Sequence, residues 1–90
     1  SAASDVYKRQ LKHLPVEYLK IDGGFVKDMI KDRIDESMVE AINRIGHIMG
    51  METIAEFVED DEILQRLVGI GVDFAQGFGI RRPFPISELE

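Results

Sequence analysis

The chain is expected to fold as an α/β unit of about three parallel strands joined by crossover helices, and three observations carry that expectation. Apolar stretches with the two-residue alternation of strands take turns with stretches of helical period. Every connection between successive strand candidates is long enough to bring the next strand back parallel to the last. At 90 residues the chain holds one small domain at most, and so few strands cannot close on themselves. The unit is therefore either a small open sheet or a piece of a larger one, with edges that need covering.

The first element, residues 1–10, has neither periodicity and differs in composition from the pattern that begins at Leu11. It looks like a translated sequencing adaptor and is expected to be a non-native or disordered leader without function, leaving residues 11–90 as the working segment. A strand follows over residues 17–22, with Val16, Leu19 and Ile21 apolar, Pro15 ahead of it and Gly23-Gly24 stopping it. In the next stretch Ile34, Met38, Ile42, Ile45 and Met49 recur at helical spacing. That predicts an amphipathic helix over 33–49, with Asp32, Asp35 and Glu36 complementing its dipole and Gly50 ending it. Residues 52–57 form the second strand candidate. Asp60-Asp61 then caps a helix over 60–69 whose buried face is Ile63, Leu64, Leu67 and Val68, ended by Gly69 or Gly71. The third strand covers 72–76. Beyond Gln76-Gly77 the chain is punctuated by Gly and Pro, and Ser87 is placed to cap a last short helix through Glu90.

Composition narrows the function. With 44% hydrophobic and 31% charged residues and no long apolar run, the chain is expected to be soluble, without membrane contact. Seventeen acidic against eleven basic residues, a net charge of −6, argue against nucleic acid as a partner. A phosphorylated ligand remains compatible with that acidity when divalent cations bridge carboxylates and phosphates. The absence of cysteine excludes disulfides and thiolate metal sites and suits a cytoplasmic protein.

Polar residues collect at the carboxyl ends of the three strand candidates, where parallel α/β folds gather ligands and catalytic groups. Lys20 and Asp22 end the first, Glu56 and Glu59 sit at and just past the end of the second, and Gln76 ends the third. Alternation puts Lys20 and Asp22 on one face, opposite Leu19 and Ile21. From pattern alone the simpler account is an ion pair, Lys20 with Asp22 or with Glu56, at a solvated strand end.

Three motifs in order change that balance. Tyr18-Leu19-Lys20-Ile21-Asp22 with Phe25-Val26, then Ile54-Ala55-Glu56-Phe57-Val58-Glu59, then Gly71-Val72-Asp73-Phe74-Ala75-Gln76-Gly77-Phe78 with Pro83, resemble the C-terminal half of the EAL domain. The resemblance covers almost all of residues 11–90. It implies a partial TIM-like (β/α) barrel from a bacterial signalling phosphodiesterase that hydrolyses cyclic di-GMP to linear pGpG with Mg²⁺ or Mn²⁺. Carried over by position, Lys20 matches the lysine that contacts the attacking water and the scissile phosphate. Glu56 matches the glutamate that ligates metal and accepts a proton. Asp22 and Glu59 match supporting acidic residues, and Gln76 matches a glutamine near the metal waters. Phe57 stands where the family's commonest motif has Gly, which puts the shape of that loop in question.

The family's name-giving Glu-Ala-Leu motif and its other metal-binding residues belong to the part preceding the segment that matches Leu11. The resemblance therefore implies a fragment that is inactive alone and binds no metal tightly, its partners being the upstream half of its own domain and upstream sensor or cyclase domains. A homodimer is compatible with it. The alternative is a non-catalytic EAL-like module that binds cyclic di-GMP or mediates dimerisation. Other candidates are weaker: His13 and His47 have no partners at ligand spacing, Met38 and Met49 are assigned to core packing, and Gly69-Ile70-Gly71 lies at the wrong helix end for an anion.

Overall fold

In a computed structural model of the chain, residues 15–77 and 83–86 are described. The leader and the expected helix after Ser87 lie outside them. The elements in order are β1 (Tyr18–Ile21), α1 (Gly23–Asp28), α2 (Arg33–Ile48), β2 (Glu52–Ala55), α3 (Asp61–Ile70), β3 (Phe74–Ala75) and β4 (Phe84–Pro85). The sheet runs β1-β2-β3-β4. β1 and β3 pair parallel to β2, as the sequence predicts, while β4 adds an antiparallel edge that it does not. Pro85 hides that strand from a sequence reading: proline lacks the N–H of a ladder rung and is tolerated at edges.

The strands are shorter than expected because their ends are taken over by turns and caps. Gly23-Gly24 does stop β1, but it also opens α1. Asp22 is the N-cap of that helix, its Oδ1 accepting from the Gly24 N–H at 2.8 Å. Asp32 caps α2 in the same way, accepting from Ile34 N–H at 2.8 Å and Asp35 N–H at 3.4 Å. Asp60 caps α3 through the Ile63 N–H at 2.8 Å, and Gly71 ends α3 in the left-handed conformation at φ 93°.

α2 corrects the sequence reading in one respect. Its period is as expected, but its buried residues are Val39, Asn43 and Gly46. Ile34 is 73% exposed, Ile45 53% and Met49 63%, and Met38 is exposed as well, so Met38 and Met49 do not pack the core. The reason is proximity. A Cβ on Gly46 would meet Thr53 Cγ2 at 2.8 Å and Leu19 Cδ2 at 3.0 Å. The face nearest the sheet thus excludes a side chain at Gly46, and of the expected stripe Ile42 packs half-buried against the core while Ile34, Met38, Ile45 and Met49 turn outward. α3 follows expectation, burying Ile63, Leu64 and Leu67 with Val68 half-buried beside them.

Ile21, Ala55 and Ala75 lie fully buried at the sheet, in one core with Val26, Met29, Val39, Leu67 and Ile86 from the surrounding elements. At the lower margin of that core runs a polar network. Asp73 Oδ2 accepts from the Thr53 N–H at 2.9 Å and meets His47 Nε2 at 2.6 Å, while the Thr53 hydroxyl donates to Asn43 Oδ1 at 2.6 Å. Asn43 Nδ2 in turn donates to the Ile70 carbonyl at 3.3 Å. His47, which the sequence leaves without a partner, therefore has one. Asp73→Ala is expected to lower stability by about 1–3 kcal/mol, because it strands the buried Thr53 N–H. The exposed His47 pairing contributes less, so His47→Ala should cost under about 1 kcal/mol. Urea titrations of both variants check the contrast, and equal losses would contradict it. No helix among the described residues is long and apolar enough to cross a membrane.

Candidate functional site

The pairing register fixes which residues share a face. Lys20 pairs with Ile54, Ile54 with Phe74 and Ala55 with Ala75. With alternation, Tyr18, Lys20, Ile54 and Phe74 stand on the face away from α2, and Leu19, Ile21, Thr53, Ala55 and Ala75 on the helix side. Tyr18 and Phe74 meet edge to face on the former, ring centroids 5.8 Å apart.

Hydrogen bonds continue the ladder past the strand ends. The Glu56 N–H donates to the Ile21 carbonyl at 3.3 Å, and the Gln76 N–H to the Ala55 carbonyl at 2.9 Å. Glu56 and Gln76 accordingly extend the alternation on the Lys20 face, at the carboxyl ends of adjacent parallel strands. Lys20 is exposed, Glu56 and Gln76 are half-buried, and Glu59 is exposed one residue before the Asp60 cap. Asp22 occupies the same rim, with one carboxylate oxygen engaged in capping α1. Among the described residues no ion pair joins Lys20 to Asp22 or Glu56; the two present are His47–Asp73 and Arg66–Glu36.

The turn after β2 is gripped from both sides. The Val58 N–H donates to the Gln76 carbonyl at 3.0 Å, and Val58 is fully buried. Gly77 lies so close that an added Cβ would run into the Val58 backbone, 2.7 Å from its nitrogen. Phe57 adopts φ 59°, the left-handed region, which costs a residue with a side chain about 1–2 kcal/mol. Its ring rests on Gly23, where an added Cβ would overlap Cδ2 and come within 2.7 Å of Cγ. Phe57 thus holds a backbone conformation that favours glycine. Sequence reasoning missed this seat because it treated Gly23 only as a strand stop, although the Asp-Gly-Gly order is also a helix opening.

Asp22, Glu56, Glu59 and Gln76 are hard oxygen donors that suit Mg²⁺ or Mn²⁺. Among the described residues, however, no three His, Cys, Asp or Glu side chains cluster closely enough to hold a metal ion. A concavity of about 1280 Å³ between α2 and α3 is lined by Asn43, Arg44, His47 and Arg66 among others, and by none of the five rim residues.

The EAL domain model matches residues 5–83. The cyclic di-GMP phosphodiesterase PdeB of Shewanella oneidensis is 48% identical over 77 residues, 86% of this chain and 9% of that protein. The cyclic di-GMP phosphodiesterase PdeA of Borreliella burgdorferi is 38% identical over 84% of this chain and 11% of its own length. The chain thus spans about a tenth of these relatives. Among solved structures, the PaMucR phosphodiesterase in complex with c-di-GMP superposes with a TM-score of 0.68 at 36% identity, covering 89% of this chain and 32% of that one. The FimX EAL domain from Pseudomonas aeruginosa bound to c-di-GMP gives a TM-score of 0.66 at 32% identity, over 81% and 30%. The sheet and its helices are accordingly part of a TIM-like barrel wall, and the chain belongs to the EAL domain family.

Proposed function

We propose that this chain is the C-terminal part of an EAL domain that hydrolyses cyclic di-GMP to linear pGpG by two-metal catalysis. The observation that carries the reading is the common face of Lys20, Glu56 and Gln76 at the ends of three adjacent strands, in a chain whose relatives bear the name of that activity. Lys20 offers a cation to the charge that builds on the phosphate in the transition state. Glu56 would supply one carboxylate ligand and accept a proton from the attacking water. Gln76 orients water by hydrogen bonding, and Asp22 and Glu59 support the rim, Asp22 by fixing the start of α1. The divalent ions, held mainly by residues beyond this chain, would lower the pKa of a bound water and neutralise phosphate charge. The domain works in the cytoplasm beside upstream signalling domains.

The reading is tested with a protein carrying the complete domain, incubated with cyclic di-GMP and Mg²⁺ or Mn²⁺ and followed by chromatography for pGpG. Metal-dependent turnover is expected from it, and none from the 90-residue chain alone, whose rim holds too few oxygen ligands. Binding of cyclic di-GMP by the complete domain without product would replace hydrolysis with a binding module. Turnover by the short chain would overturn the shared-site argument.

A further inference from the structure

We propose that Phe57 is a positioning residue for the loop that presents Glu56 and Glu59, acting through its ring seated on Gly23, and that positions 23 and 57 work as one coupled pair. The inference rests on the hydrolytic reading of the rim. Three observations lead to it.

The loop is anchored by its backbone on the β3 side, through the Val58 N–H to the Gln76 carbonyl at 3.0 Å and through the close approach of Gly77. On the β1 side past the Glu56 N–H, the anchor is a side chain, the Phe57 ring against Gly23 at the first turn of α1. Phe57 also holds φ 59° although it is not glycine. A strained backbone persists only where its surroundings fix it, and the ring's seat is such a surrounding. Phe57 is 58% exposed, so the contact with Gly23 covers only part of it. Gly23, by contrast, is buried, and its missing Cβ is the space the ring occupies. Glu56 immediately precedes Phe57 and Glu59 lies two residues beyond it, so a backbone shift at position 57 is passed to both carboxylates. Any side chain at 23 must displace the ring, whereas a glycine at 57 would accept the left-handed turn and leave position 23 free to carry a side chain.

The test is a double-substitution cycle in the protein with the complete domain: Gly23→Ala, Phe57→Gly and the two together. In the parent background Gly23→Ala is expected to lower kcat by about tenfold and to raise the Mg²⁺ concentration for half-maximal activity by a similar factor, in the range set by groups that orient metal ligands. KM should change less than kcat. In the Phe57→Gly background the same Gly23→Ala change should alter kcat by under about twofold, a non-additivity that contacting residues produce. Equal effects of Gly23→Ala in both backgrounds would overturn the coupling. An unchanged Mg²⁺ requirement alongside a lowered Tm would overturn the positioning role and leave a purely structural one. If the parent has no turnover, the hydrolytic reading fails separately. Thermal melting of the same four proteins then still decides the pair, since additive Tm shifts refute it and non-additive ones support it.

Discussion

Glu56→Gln in the complete domain is expected to lower kcat for cyclic di-GMP by at least about 100-fold while leaving the fold intact. Orienting groups around a metal are already worth about 10–100-fold, and a carboxylate that ligates the ion directly should exceed them. The exchange keeps size and shape, so the ladder bond from the Glu56 N–H to the Ile21 carbonyl, at 3.3 Å, survives. On the proposed role, the exchange would remove a negative charge offered to a metal and a basic oxygen for the proton of the attacking water. A rise in the Mg²⁺ requirement should accompany the loss in rate. His47→Ala is the matched control, since His47 lies on the far side of the sheet with Asp73 and should leave kcat within about twofold, as surface changes remote from a site do. Full activity of Glu56→Gln, measured as pGpG formed per enzyme under saturating substrate, would refute the role assigned to Glu56.

What the sequence revealed and what it hid divide along a physical line. Periodicity and caps are local, so the parallel β1, β2 and β3, the helices α2 and α3, and the Asp60 cap were legible in it, while the end of α3 was narrowed only to Gly69 or Gly71 and Asp32 was read as a dipole charge rather than as the cap it is. The rim was legible for the same reason: strand ends are marked by where apolar alternation stops, and Lys20, Glu56 and Gln76 stand there. Features decided by distant parts of the chain were hidden. Which face of α2 meets the sheet depends on how closely Gly46 approaches Thr53 and Leu19, and of the hydrophobic stripe Ile42 alone reaches the core. The Asp73 carboxylate serves the Thr53 N–H and His47 across 20 and 26 residues of sequence. The seat of Phe57 on Gly23 spans a longer separation still, 34 residues, and neither residue alone signals it. A phenylalanine in a left-handed turn is read from the backbone, not from composition.

Gly77→Ala is expected to be strongly destabilising, lowering stability by about 3 kcal/mol, the upper part of the range for a forced overlap. An added Cβ would run into the Val58 carbonyl and stand 2.6 Å from its carbon and 2.7 Å from its nitrogen. These are backbone atoms, which cannot swing aside as the end of a side chain does. Val58 is also fully buried, and its N–H is held by the Gln76 carbonyl at 3.0 Å, so relief requires parting β3 from the loop after β2. Such a separation would carry the Gln76 side chain away from Glu56, so the variant should lose activity together with stability. Gly69→Ala provides the comparison, because a Cβ there meets nothing within 4 Å and a helical alanine is favoured over glycine by about 1 kcal/mol. In the complete domain the Gly77→Ala loss corresponds to a fall in Tm of roughly 6–12 °C, while Gly69→Ala should raise Tm by a few degrees. Thermal melts of the two variants beside the parent separate the cases, and a Gly77→Ala protein that melts within about 2 °C of the parent would show that the β3 end and the Val58 turn are not in the close contact on which the rim geometry depends.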